Sequence, residues 1–178
     1  INPATEEKVG HVVSGTVKDV NDAVSAAKQA FKVASALSLE QKKTILQEII
    51  DGMDERREEF AQVISEEMGA PIKVARGAQF SSGKVHFVNT LKVIDSFSFS
   101  EVHDNITLNK LPIGPVGMIT PWNWPLNQMC TKIASAIAAG TSFVLKPSEI
   151  TPGAAQLFAE VADKSSMPKG MFLSLIHI

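Results

Sequence analysis

A chain of 178 residues, 44% apolar and 20% charged, is long enough for one domain with a real core and too apolar to be disordered. Its formal net charge of −2, with Lys42-Lys43 and Arg56-Arg57 as short basic pairs near acids, argues against any nucleic-acid partner. One cysteine, Cys130, excludes a disulfide framework and points to a reducing, cytoplasmic compartment, and no apolar run is long enough to span a membrane.

No signal peptide is recognisable, and the opening at Ile1 without a methionine suggests a fragment or a processed chain. Residues 1–17 are polar with scattered valines, Gly10 and Gly15, which predicts short strands or loop. "DVNDAVSAAKQAFKVA" then places Val20, Val24, Ala27 and Phe31 at helical spacing, with Asp19 as candidate N-cap. "SLEQ" has the capping-box pattern in Ser38 and Gln41, and opens a second helix with Ile45, Leu46, Ile49 and Ile50 on one face. "DERREEFAQVISEEMG" reads as a third helix whose charges suit a solvated face, stopped by Gly69 and Pro71. Residues 72–95 read as a long fourth helix interrupted by Gly77 and Gly83.

The texture changes near Ile94. "SFSFSEVHDNITLNKLP" alternates and is rich in Ser, Thr, Val and Ile, with "HDN" as a turn, which predicts an antiparallel hairpin. Val116–Thr120 is a short apolar run, "LNQMCTKIASAIAAG" an apolar helix ending at Gly140, and Thr141–Lys146 a second short apolar run. Strand, helix and strand within about 30 residues make a βαβ unit with both strands buried. "TPGAAQLFAEVAD" supplies the next helix.

Parallel strands end on the same edge of a sheet, and open α/β sheets bind ligands outside those ends. Past the first strand lies "PWNWP", and past the second "KPSE", Lys146 to Glu149. The prolines fix the backbone and exclude helix or central strand there. Asn123 offers a neutral amide donor, a group suited to an oxyanion that develops in a transition state. A carboxylate such as Glu149 can accept from both hydroxyls of a ribose and repels a 2′-phosphate, which favours NAD over NADP.

These residues carry a resemblance. "PIGPVGMITPWNWPLNQ…CTKIASAIAAGTSFVLKPSEITP" resembles the NAD(P)-dependent aldehyde dehydrogenase superfamily, and "INPATEE" with the helices after it resembles that family's opening. The resemblance implies an α/β fold: a largely helical segment over 1–94, a hairpin over 95–112 serving as an oligomerisation arm, and part of a Rossmann-like parallel cofactor domain over 113–178. It implies NAD as cofactor, a small aldehyde as substrate and a homo-oligomeric parent. It assigns Asn123 as oxyanion-hole donor and Ile119, Thr120, Pro121, Trp122 and Asn123 as cofactor contacts. Lys146, Ser148 and Glu149 fall where the family holds the adenosine ribose. Lys132 aligns with a lysine of the helix after PWN, sometimes given a charge-relay role. The family's nucleophilic cysteine, its glutamate and its glycine-rich turn lie downstream of KPSE and have no counterpart here, so the chain is expected to be the N-terminal part of such an enzyme. The family's "PKG" is present as Pro168–Gly170, but "MFLSLIHI" departs from the strand expected next.

Plainer roles stand beside these. Cys130, inside an apolar helix, reads as a buried structural thiol. Asn123 also suits a turn, Lys146 and Glu149 suit a surface ion pair, and Lys132 suits a solvated lysine. Trp122 and Trp124 read as packing residues that hold the loop. His11, His86, His103 and His177 show no metal spacing and read as solvent-facing. Two functions follow: part of an enzyme oxidising aldehydes to carboxylic acids with NAD(P), or a non-catalytic nucleotide-binding and oligomerisation module.

Overall fold

A computed structural model describes residues 1–175. Residues 1–16 form turns and loop with no strand. Helix α1 spans Val17–Ala34, and its N-cap is Thr16, not Asp19. The Asp19 N–H donates to Thr16 Oγ1 at 3.3 Å, and the Thr16 N–H donates back to Asp19 Oδ2 at 2.8 Å. Both residue types cap well. Here the reciprocal pair satisfies two orphan donors at once, so Asp19 becomes the third helical residue. The buried face also differs from the expected stripe. Ala23, Ala27, Ala30 and Ala34 are buried, while Val24 is exposed and Val20 and Phe31 only half-buried. Small side chains let α1 approach the sheet closely enough for Ser142 Oγ to donate to the Ala27 carbonyl at 2.6 Å.

Helix α2 (Leu39–Glu55) opens on the Ser38–Gln41 capping box and buries Ile45, Leu46, Ile49 and Ile50. Helix α3 (Arg57–Met68) ends at Gly69. Residues 72–94 are helical throughout, as α4 (Ile72–Val74), a π-helical turn π1 (Ala75–Gln79) and α5 (Phe80–Ile94). Gly77 lies inside the π turn, so that interruption is real. Gly83 interrupts nothing. It is buried in regular helix because a Cβ there would stand 2.6 Å from Leu126 Cγ. Gly83→Ala is therefore expected to overpack the α5–α6 contact and cost about 1–3 kcal/mol. A thermal melt should show the midpoint lowered by several degrees, and an unchanged midpoint would disprove the contact's tightness.

Strands β1 (Ser100–His103) and β2 (Ile106–Asn109) form the antiparallel hairpin, turning at Asp104. Strand β3 (Val116–Ile119), helix α6 (Pro125–Ala139) and strand β4 (Phe143–Lys146) make the βαβ unit, and β3 and β4 pair in parallel. Gly140 closes α6 at φ 76°, a left-handed position where a Cβ is costly. Helix α7 (Gly153–Lys164) leads to a third strand, β5 (Phe172–Ser174), parallel to β4. This corrects the reading of "MFLSLIHI" as a departure from strand: Phe172 pairs with Phe143, and their rings pack in a tilted arrangement at 5.3 Å between centroids. Residues 176–178 of that tail lie outside the described residues. The sheet order is β3-β4-β5. Helix α1 packs on β4 and β5, while α6 packs on β4, α7 on β5, and α5 along α6. The core joins these layers through Phe60, Phe80, Phe87, Phe143 and Phe158, all fully buried. Among the described residues no helix is long and apolar enough to cross a membrane.

Candidate functional site

The parallel register decides where the two loops go. Ile119 pairs with Lys146 at the last position of both strands, and the Thr120 N–H donates to the Lys146 carbonyl at 3.2 Å. Residues 120–124 and 147–149 therefore leave the sheet side by side at its C-terminal edge. Thr120 is buried and Ile119 is 76% exposed. An aliphatic side chain that open, at the tip of a strand whose neighbour Met118 is buried, is apolar surface at the C-terminal edge of the sheet.

Pro125 occupies the first turn of α6, where its missing N–H costs nothing. That fixes where helix begins and leaves Pro121, Trp122 and Asn123 as an exposed loop. The expectation that both tryptophans pack needs correcting. Trp124 is half-buried, but Trp122 is 47% exposed, because the loop projects beyond the last paired residues of the sheet.

On the other loop, Lys146 Nζ donates to Glu149 Oε2 at 3.0 Å. Pro147 and Ser148 are buried beneath them, and Ser148 Oγ accepts from the Ile150 N–H at 3.2 Å, which turns the chain toward α7. The ion pair read as one option from the sequence is thus present, and it leaves Glu149 at the exposed rim. The start of α7 is held from below by a residue the sequence reading did not single out. Glu67 accepts from the Gly153 N–H with its two oxygens at 3.0 and 2.9 Å. Burial raises the Glu67 carboxyl to about 7, opposed by the Gly153 hydrogen bond. A folded pKa above the unfolded value of 4.5 means the native state binds the extra proton between those limits. Stability from this group is full below about 4.5 and falls as pH rises toward 7. Glu67→Gln is expected to flatten that part of the urea-midpoint profile. An identical profile in the variant would remove Glu67 from the account.

Cys130 is fully buried in α6, and burial pushes its thiol well up from the ordinary range. Lys132 Nζ donates to the Gln128 carbonyl at 3.1 Å, one turn back on its own helix. His86 is half-buried, not solvent-facing: its Nε2 lies 2.7 Å from Asn127 Oδ1. Gln79 is 2% exposed and donates to the Asn123 carbonyl at 3.4 Å. Neither His86 nor Gln79 is marked by any motif. Among the described residues no group of three or more His, Cys, Asp or Glu side chains could hold a metal ion.

A parallel sheet with helices on both faces and two proline-bounded loops meeting at its C-terminal edge defines a Rossmann-like α/β unit. The aldehyde dehydrogenase family model matches residues 1–177, and the chain belongs to that family. A Staphylococcus haemolyticus protein with a provisional aldehyde dehydrogenase name is 40% identical over 172 residues, 97% of this chain and 36% of that protein. An aldehyde dehydrogenase from Bartonella henselae superposes with a TM-score of 0.96 at 39% identity, covering 100% of this chain and 38% of that one. A mutant of aldehyde dehydrogenase C from Pseudomonas syringae, complexed with NAD+ and octanal, gives a TM-score of 0.98 at 42% identity, covering 100% and 37%. The chain thus spans little more than a third of the length of the relatives it matches.

Proposed function

We propose that this chain supplies the nucleotide-binding edge and the oxyanion donor of a cytoplasmic enzyme that oxidises an aldehyde to a carboxylic acid with NAD. The observation that carries the reading is the Ile119–Lys146 register, which puts the Asn123 loop and the Lys146–Glu149 loop on one sheet edge. The site's chemistry fits a dinucleotide. Ile119, Ile150 and Trp122 expose apolar surface where flat rings and sugars need cover, and Glu149 with Lys146 offers acceptor and donor to ribose hydroxyls. NAD, when bound, accepts the hydride that the aldehyde carbon loses.

The chain's own residues divide the remaining work. Ile119, Thr120, Pro121 and Trp122 line the edge along which the cofactor lies. Lys146, Ser148 and Glu149 hold the adenosine ribose, Ser148 by shaping the turn from within. The Asn123 amide donates to the aldehyde oxygen as that oxygen gains negative charge. Residues 1–94 and 113–178 together form this part of the cofactor domain. The hairpin within 95–112 is the oligomerisation arm, a reading supported by Val102, Ile106, Leu108 and Leu111, all exposed.

Glu149→Gln tests the cofactor assignment. A carboxylate accepting from ribose hydroxyls contributes about 1.5 kcal/mol or more, close to a tenfold change in affinity. The variant is expected to bind NAD about tenfold more weakly and to discriminate less against NADP, since the charge facing a 2′-phosphate is gone. Titration calorimetry with both dinucleotides reads this directly. Unchanged affinity for both would remove Glu149 from the ribose site.

A further inference from the structure

We infer that Gln79 is a positioning residue for Asn123, presented by the π-helical turn and acting with Gly83 and His86 as a clamp on the entry to α6. The inference rests on the proposed role of Asn123. Its physical content, that the loop is held from α5, stands apart from that role.

Three contacts on one helical face make the clamp. Positions 79, 83 and 86 are spaced four and three apart, so they share a face of the rod formed by π1 and α5. Each meets the chain around α6's first turn. Gln79 Nε2 donates to the Asn123 carbonyl at 3.4 Å. Gly83 brings the helix backbone against Leu126, closer than any side chain allows. His86 Nε2 lies 2.7 Å from Asn127 Oδ1. The residues held, 123, 126 and 127, straddle the start of the helix.

The Asn123 carbonyl needs an outside donor. The first bond of α6 runs from the Gln128 N–H to the Trp124 carbonyl at 2.9 Å, which leaves Asn123 one residue short of the ladder. A donor to that carbonyl fixes the peptide plane after Asn123 and so limits where its side chain is aimed. The contact is at the long end of the hydrogen-bond range, so it orients more than it binds.

Gln79 is also poorly explained as a stability residue. It is 2% exposed, and its side-chain oxygen is buried with no hydrogen-bond partner among the described residues. Among the described residues its amide nitrogen has, besides Asn123, only the Met68 sulfur at 3.5 Å. An apolar side chain of the same length would avoid stranding a buried acceptor. The π turn supports the same conclusion. It inserts an extra residue into the helical winding over Ala75–Gln79 and so shifts the phase of the helix there, an irregularity that recurs at functional sites.

Trp122 and Trp124 flank Asn123 and are the chain's two tryptophans, so intrinsic fluorescence reports on this loop alone. The test is acrylamide quenching of the 178-residue chain and of its Gln79→Met and Gln79→Glu variants. Met keeps the length and removes the polar atoms. Glu keeps the shape and polarity and removes the donor once ionised, so quenching measured at alkaline pH remains informative if Met does not fold. Both folded variants, checked by far-ultraviolet circular dichroism, are expected to be quenched about twofold more efficiently, with the Gln79→Met melting midpoint equal to or above that of the parent. Quenching unchanged in a folded variant overturns the inference. The same substitutions in a full-length enzyme carrying this segment separate the two readings. A loosened loop with kcat lowered about tenfold and the aldehyde KM within twofold supports both. A loosened loop with unchanged kcat upholds the clamp and overturns the catalytic role of Asn123.

Discussion

Asn123→Ala, made in a full-length enzyme that carries this segment, is expected to lower kcat by about a hundredfold or more and to leave NAD affinity nearly unchanged. The magnitude is that of removing one oxyanion-hole donor, about 3 kcal/mol of barrier. The asymmetry follows from geometry. Thr120 is buried and tied to β4, Pro125 fixes the first turn of α6, and Gln79 holds the Asn123 carbonyl, so both ends of the loop are anchored. A pre-aimed neutral amide gains little from a ground-state carbonyl and much from an oxygen acquiring charge, so its loss appears in kcat. The proposed cofactor edge also rests on Ile119 and Lys146, which pair at the end of the two strands, and the truncation removes only the Asn123 side chain. Steady-state kinetics with saturating NAD gives kcat, and titration of NAD gives affinity. If kcat stays within a few-fold, Asn123 is only a turn residue.

The parts of this site that were legible in the sequence are those where a local rule decides the outcome. Apolar runs bounded by "PWNWP" and "KPSE" gave β3 and β4 to within one or two residues, and parallel pairing then had to bring the loops together. "SLEQ" gave the α2 cap because both members lie within one turn. What was not legible depends on contacts between distant residues. The buried face of α1 is alanine, which hydropathy ranks below the valines beside it. Closeness to the sheet, expressed in the Ser142–Ala27 hydrogen bond, selects the smaller side chains. Gly83 looked like a helix breaker and is a point of close approach to Leu126. Gln79 and His86 follow a helix whose phase is shifted by a π turn, so simple 3.6-residue spacing does not show which way they face. Glu67 looked like one more acid on a charged helix, and only the position of Gly153 reveals that it holds the start of α7.

The 178-residue polypeptide by itself is expected to turn over no aldehyde, although it carries the proposed oxyanion donor and a thiol. Oxidation through a covalent thiol adduct needs a thiolate that an aldehyde can reach. Cys130 fails on both counts. It is fully buried in α6 between Met129 and Ile133, which are buried as well, and burial disfavours its charged form strongly. Reaching it requires disturbing the packing of α6, whose Leu126, one turn before Cys130, meets Gly83 with no gap. The carboxylates near the edge are already engaged, Glu149 with Lys146 and Glu67 with the start of α7. The proposed donor and cofactor edge, without an accessible nucleophile, would stabilise a transition state that nothing initiates. NADH formation from acetaldehyde or benzaldehyde with NAD should therefore match that of a Cys130→Ser control, and a thiol reagent such as dithiobisnitrobenzoate should label Cys130 only after denaturant is added. Turnover above the control, or rapid labelling of the native chain, would show that α6 opens and that Cys130 is more than a packing residue.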